Sequence, residues 1–358
     1  MRIKIYIRLF ILLAAQQYIL SCSPKDDKTM QNQLKEELNK INQLLRDKNF
    51  AQEMAQTLEA AYYNGVGEKP PVFLKPGDDT AKIKKPAIDE KTATSIAPFY
   101  ALECGIGVLC ETHGGTPVEW LKKINDNTLD TSYWLLLNRF ANATWKAGQP
   151  FRDLNRIERP VFIVANFLSA EEVEKDKDQL KAASIKLSDA MKDVADSSKT
   201  KQFDKLKQLM QSETFAFETA RHADSSYSVS QKQPVPSFAE YGKDTSTITK
   251  TVKQEKIATN IAGFYALECG INYMVTIEKR LPSQILDSIK NNTINDADKT
   301  LLLRFANATW KAGQPFRGLE RIRKDNFIPA SMLSKEELEK DWVQIRAAAE
   351  KLLEKLSQ

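Results

Sequence analysis

Apolar residues recur at intervals of three and four along most of the chain, which predicts a largely helical protein. One such stripe, within residues 34–58, predicts a single long first helix. Further helical segments are predicted over residues 89–110, over residues 117–147 with a break near Asn127-Thr128, and from Ser169 onward. The stripe of the first helix consists of Leu34, Leu38, Ile41, Leu45, Met54 and Leu58.

Capping and turn residues define several helix ends. Ser169 with Glu172 three residues later forms a capping box and predicts a helix start, and Ser334 with Glu337 does the same in the second copy. Gly148 followed by Pro150 predicts that the preceding helix stops there. Only 13 glycines and 14 prolines occur in 358 residues, which favours helices over a turn-rich β architecture. The predicted fold class is therefore all-α.

An internal duplication is visible in the sequence. The segment RFANATWKAGQPFR begins at Arg139 and again at Arg304, an offset of 165 residues. The same offset, without gaps, aligns Phe99–Ile106 with Phe264–Ile271. Since this period is far longer than that of a solenoid repeat, it predicts two tandem helical bundle units. We place the first at residues 28–192 and the second at 193–358.

Each copy contains a long connection with several prolines before its second helical segment, at residues 64–88 in the first copy. Connections of this length are often functional lids, and the alternative is a strap or short hairpin packed along the bundle. Within the following helix, Pro98 aligns with Gly263. Both residues weaken a helix, so a kink or a helix start is predicted there in both copies.

The amino terminus has the charge and length pattern of a secretory signal peptide. Residues 1–21 carry three basic residues and no acidic one, with an apolar stretch at 9–20. The segment ends in Ile19-Leu20-Ser21-Cys22, which resembles the lipobox of bacterial lipoproteins. This resemblance implies a type II signal peptide at 1–21, cleavage before Cys22, and a lipid on Cys22 that holds the protein at the outer membrane.

Residues 22–27 contain the cysteine and a short acidic tag. Lys25-Asp26-Asp27 resembles the tag that follows the acylated cysteine in some surface-exported lipoproteins. The resemblance implies exposure on the cell surface, and a periplasmic orientation is the alternative. The membrane is thus the first expected partner.

Charge and residue content narrow the possible chemistry. The net charge is +5, and three positive charges lie in residues 1–21, which leaves a nearly neutral remainder without the basic excess of a nucleic-acid-binding protein. His113 and His222 are the only histidines and do not align between the copies. A repeated metal or haem site is therefore not expected, and no cofactor is predicted.

Three cysteines remain after Cys22. An odd number excludes a fully paired disulfide framework. Cys104 and Cys110 are too far apart on one helix to pair. A bridge between Cys104 and Cys269 stays open, and burial as small apolar side chains is the expected role.

A set of polar and aromatic residues, here called the polar stripe, is identical in the two copies. On the third predicted helix, Arg139, Asn142 and Lys146 follow one another at spacings of four or three residues and share one face. The polar stripe comprises Glu103, Arg139, Asn142, Trp145, Lys146 and Arg152, with the counterparts Glu268, Arg304, Asn307, Trp310, Lys311 and Arg317.

The polar stripe has two interpretations. One is a structural network in which Glu103 pairs with Arg139 and orients two helices. The other is an anion or polar-ligand site in each copy, with Arg139, Lys146 and Arg152 as donors and Trp145 as a stacking wall or, on the structural reading, a core anchor.

These observations favour a membrane-anchored, non-enzymatic binding or interaction protein whose partner is a protein, a glycan or a small polar ligand. A structural component of the envelope is the alternative. An enzyme with one site per copy is less favoured, because no motif for a metal, a nucleotide or a catalytic nucleophile occurs.

Overall fold

The fold is all-α, as the sequence predicts. A computed structural model of the protein describes residues 24–70, 81–230, 232–234 and 245–358, so the predicted signal peptide and Cys22 lie outside the described residues. Within these ranges the chain forms 12 α-helices, several short 3-10 turns and one two-stranded sheet.

The secondary-structure elements follow the sequence order. The first copy contains α1 (Pro24–Leu45), α2 (Lys48–Gly65), β1 (Lys82–Pro86), α3 (Ala87–Thr112), α4 (Pro117–Asn125), α5 (Thr131–Arg152) and α6 (Ala170–Ala190). The second contains α7 (Lys199–Met210), α8 (Glu213–Ser230), β2 (Thr247–Thr251), α9 (Val252–Glu278), α10 (Pro282–Lys290), α11 (Asp296–Arg317) and α12 (Lys335–Leu356).

The core of the molecule is a group of four helices, two from each copy. Helix α5 packs against α3, α9 and α11, and α11 also packs against α3 and α9. Where α5 crosses α11, the rings of Phe140 and Phe305 are stacked with centroids 4.0 Å apart, and both are fully buried. The two copies therefore share one hydrophobic core.

The outer helices cross from one copy to the other. Helix α2 packs against α9 and α12, and its counterpart α8 packs against α3 and α6. The edge-to-face contacts are equivalent, since Phe50 meets Phe264 and Phe215 meets Phe99, each at 5.5 Å. Contacts between helices thus cross the sequence boundary at residues 192 and 193.

The two long connections meet in the only sheet that the described residues form. β1 pairs antiparallel with β2, and Lys84 lies opposite Thr249. Residues 71–80 and 235–244 of these connections, including Pro71, Pro76 and Pro236, lie outside the described residues. The described strands show that each connection ends in a strand that pairs with its counterpart from the other copy.

Three predicted boundaries are confirmed. Helix α4 ends at Asn125 and α5 begins at Thr131, with Asn127 between them in the left-handed region at φ 57°. Ser169 caps α6 through a capping box with Glu172. Ser334 caps α12 in the same way.

The prediction of one long first helix is wrong. The chain breaks between α1 and α2, where the Asp47 side chain accepts hydrogen bonds from the backbone N–H groups of Asn49 (2.8 Å) and Phe50 (3.2 Å). This N-cap starts a new helix. Both helices bury their apolar faces, so the stripe continues across the break.

The predicted stop at Gly148 and Pro150 is also wrong, because α5 continues to Arg152. A Cβ on Gly148 would lie 2.9 Å from a ring carbon of Phe316, so this glycine allows close packing of the two copies. Likewise, α3 and α9 run through Pro98 and Gly263, and neither helix begins there.

Helix α3 is long and apolar enough to cross a membrane by length and composition. In this structure 89% of its apolar window is buried inside the protein. Its apolar character is therefore explained by its place in the four-helix core.

Candidate functional site

Two buried ion pairs join the copies at the centre of the core. Lys146 Nζ lies 2.5 Å from Glu268 Oε2, and Lys311 Nζ lies 2.5 Å from Glu103 Oε2. All four side chains are fully buried. The predicted pair of Glu103 with Arg139 is wrong, because α11 of the second copy presents Lys311 to Glu103.

The second oxygen of each carboxylate is also hydrogen-bonded. Glu268 Oε1 accepts from the backbone N–H of Ala165 and from Asn272 Nδ2, both at 2.8 Å. Glu103 Oε1 accepts from the N–H of Ala330 at 2.8 Å. Because buried charges are tolerated only when paired and hydrogen-bonded, these residues form a structural lock between the copies.

The stripe arginines Arg139 and Arg304 are mostly buried and have protein partners. Arg139 Nη2 donates to Asn166 Oδ1 at 2.6 Å. Arg304 Nη2 donates to Glu111 Oε1 at 2.8 Å, and its Nη1 donates to the carbonyl of Ala330. These contacts anchor loops that follow the central helices.

Cys104 and its counterpart Cys269, which are retained in both copies, belong to the same buried network. Cys104, Cys110 and Cys269 are free and buried, so the bridge between Cys104 and Cys269 is not formed. The Sγ atoms of Cys104 and Cys269 lie 3.2 and 3.1 Å from the carboxylates of Glu103 and Glu268. Burial and these carboxylates raise the pKa of both thiols well above the ordinary value, which disfavours a nucleophilic role.

A cavity of about 450 Å³ lies beside this lock, between helices α3, α5, α6 and α8. Three residues of the polar stripe line it: Asn142, Trp145 and Arg152. We call it the first-copy cavity. Its volume is within the range of small-molecule sites, and its lining combines aromatic walls with polar groups.

Helix α6 supplies four polar lining residues that the sequence analysis missed. They are Glu172, Lys175, Asp176 and Gln179, and the second copy carries the identical residues Glu337, Lys340, Asp341 and Gln344. Tyr227 of α8, also in the lining, aligns with Tyr62. The identity of these residues in the two copies is visible in the sequence at the 165-residue offset. In the sequence, however, the acidic residues at the start of α6 indicate only a helix cap.

Asp176 is enclosed by protein yet remains partly accessible through the cavity. Burial and the nearby Glu172 raise its pKa to about 7, against the opposing charges of Lys146 and Arg139. Burial and Glu337 likewise raise the pKa of Asp341 to about 7. Both copies thus place an acid that titrates near neutral pH at equivalent positions.

Arginines are concentrated at the end of α5 and in the turn after it. Arg152 and Arg156 line the cavity, and Arg159 is close enough to influence both. Burial, followed by the charges of Arg152 and Arg159, lowers the pKa of Arg156 to about 10. In the second copy, burial and Arg321 lower the pKa of Arg317.

The polar stripe therefore divides into two groups. Lys146, Glu103 and Arg139, with their counterparts, belong to the structural contacts, whereas Asn142, Trp145 and Arg152 reach the cavity. Trp145 also packs against Phe162 at 5.7 Å, so the core-anchor interpretation holds for part of its surface.

No group of three or more His, Cys, Asp or Glu side chains is arranged to hold a metal ion in the described ranges. The comparisons with known proteins give no relative, since no protein family, curated protein sequence or solved structure matches this chain.

Proposed function

We propose that this protein is a lipid-anchored protein of the cell envelope that binds a small polar ligand in the first-copy cavity. The observation that carries the proposal is the retention of most of the cavity's polar lining, including Asp176 and Gln179, as identical residues at the aligned positions of the second copy. Side chains that only face solvent have no physical reason to stay identical in two diverging copies. Trp145 and Tyr227 add two aromatic walls.

Binding is better supported than catalysis. Among the described residues, the cavity lining contains no histidine and no cysteine, and the retained thiols are held in the core. The lining instead offers amide, carboxyl and guanidinium groups, which suit recognition of a polar ligand.

The two copies, residues 28–192 and 193–358, are proposed as duplicated binding units that exchange their first helices. Trp310, Arg317 and Asp341 stand where Trp145, Arg152 and Asp176 stand in the first copy. A second equivalent site in the other copy is part of this proposal.

The proposed anchor is a lipid on Cys22, with the protein at the outer membrane and exposed on the cell surface. Helix α1 begins at Pro24, two residues after that cysteine. The anchor would therefore hold the folded chain close to the membrane.

Replacing Cys22 with alanine tests the anchor. We expect the variant to leave the membrane fraction, because the lipid is attached through the cysteine sulfur. A Cys110→Ala variant controls for loss of a thiol elsewhere in the chain. Membrane partition of the Cys22→Ala protein that equals the wild type would contradict the anchor.

Filling the cavity tests the ligand site. Ser95 of α3 lines the cavity, and a Ser95→Tyr variant places a ring inside it. In a ligand-observed NMR screen of small polar compounds, we expect compounds that bind the wild type to bind this variant about tenfold more weakly or worse, as expected for a blocked pocket.

The matched control is Glu174→Tyr, which puts the same ring on the exposed side of α6. Its binding should equal that of the wild type. Hits that bind Ser95→Tyr as tightly as the wild type would remove the cavity from consideration.

A further inference from the structure

We infer that the ligand of the first-copy cavity is a small organic acid whose carboxylate, phosphate or sulfonate group is held by Arg152 and Arg156. This inference rests on the proposed function and adds the chemical class of the ligand. It also predicts that the rest of the ligand contains a ring or another apolar group, because Trp145 forms a wall of the same cavity.

The first argument is the excess of positive charge at this end of the cavity. Arg152, Arg156 and Arg159 influence one another electrostatically. Two acids lie nearby: Glu90 is ion-paired with Lys250 of the second copy, and the Asp153 carboxylate accepts from the N–H of Asn155 at 2.8 Å. They offset the positive charge only in part, because Arg152 and Arg159 act on Arg156 more strongly than these acids do. An anion would offset the repulsion among the arginines.

The second argument is the supply of free donors. Among the described residues, the hydrogen bond of Arg156 is made by Nε, to Gln149 Oε1 at 2.7 Å. The N–H groups of its two Nη atoms are therefore available to donate to a ligand. Arg152 Nε is buried without a hydrogen-bond partner in the described part of the chain. Guanidinium groups bind planar or tetrahedral anions through pairs of such donors.

The acids that line the cavity have partners of their own or a raised pKa. Glu172 accepts from the backbone N–H of Ser169 at 2.9 Å, and Asp224 lies 3.7 Å from Lys91. Asp176 has a pKa near 7, so below that pH it is largely protonated and serves as a hydrogen-bond donor. The lining contains one further cation, Lys175, which is ion-paired with Glu171 at 2.8 Å.

The second copy keeps the same arrangement of charges. Arg317 and Arg321 replace Arg152 and Arg156, and Lys324 replaces Arg159. A positively charged residue is retained at all three positions, whereas the neighbouring Asp153 is replaced by Gly318. The two copies therefore share three cations at this place, together with one acid, since Glu255 aligns with Glu90 and lies 3.9 Å from Arg317.

The test is a matched series of one-ring compounds measured by ligand-observed NMR on the mature wild-type chain. The acids are benzoate, benzenesulfonate and phenyl phosphate, the neutral partners are benzamide and benzyl alcohol, and the cation is benzylamine. We expect the acids to bind and to weaken as salt concentration rises, since salt screens charge. The neutral and cationic compounds should bind at least about tenfold more weakly, because they lack the charge-assisted hydrogen bonds.

Arg156→Gln should weaken the acids about tenfold and leave the neutral compounds unchanged. Arg156→Lys keeps the positive charge but cannot form the paired hydrogen bonds of a guanidinium group. It should lose less affinity for the acids than Arg156→Gln does. The control Arg221→Gln removes an exposed arginine of α8 and should change nothing.

The outcomes separate this inference from the proposed function. One outcome is that neutral or cationic compounds bind the wild type as well as the acids do, and that the Ser95→Tyr variant binds them much more weakly. This outcome would overturn the organic-acid inference while the cavity remains the binding site. Acids that bind equally to Ser95→Tyr and the wild type would overturn both.

Discussion

Replacing Lys146 with methionine is expected to lower the free energy of unfolding by about 3–5 kcal/mol, the effect of breaking a buried ion pair on one side. The variant leaves the Glu268 carboxylate fully buried without its cation. Chemical denaturation of the chain from residue 22 onward measures the loss. The equivalent variant Lys311→Met should lose a similar amount, because its pair with Glu103 has the same distance and burial.

Two controls separate the buried charge from the loss of a side chain. The double variant Lys146→Met/Glu268→Leu removes both charges and should recover much of the stability. Lys175→Met breaks an exposed pair with Glu171 at 2.8 Å and should change stability by less than about 1 kcal/mol. If Lys146→Met were as mild as Lys175→Met, the pair would not act as a lock.

Truncation of Phe140 to alanine is expected to destabilise the protein by about 3–5 kcal/mol, as for other buried phenylalanines. The ring is fully buried and stacks on Phe305 of the other copy, so both copies lose a core contact. The control is Phe167→Ala, whose side chain is 36% exposed and should matter much less. Denaturation followed by circular dichroism measures both variants.

The shape of the transition is informative as well. Because the two copies share one core, Phe140→Ala should shift a single unfolding transition of the whole chain. Two separate transitions, of which the variant shifts one, would contradict the shared core.

Local features of the fold could be predicted from the sequence. The break before α5 and the serine caps of α6 and α12 depend on residues close in the chain. The break at Asp47 was missed because the apolar stripe keeps its helical spacing across it. Gly148 resembles a helix stop in sequence, yet its role depends on Phe316, which is distant in the chain.

The exchange between copies could not be predicted from the sequence, for a specific reason. Glu103 has two lysines at equivalent positions, Lys146 in its own copy and Lys311 in the other. The duplicated sequence makes the two pairings chemically identical. Only the packing of α11 against α3 selects Lys311.

The candidate site was partly predictable. Asn142, Trp145 and Arg152 were selected because they are identical in both copies, and all three reach the cavity. Lys146 was selected by the same criterion but lies in the core. Identity between copies therefore marks constrained positions without saying whether a ligand or a neighbouring helix imposes the constraint.

A crystal structure of the chain from residue 22 onward, soaked with benzoate or phenyl phosphate, would test the central claim most directly. We expect the ring against Trp145 and the acid group within hydrogen-bond distance of Arg152 and Arg156. An empty first-copy cavity, with the compound bound elsewhere or not at all at concentrations that saturate binding in solution, would contradict the claim.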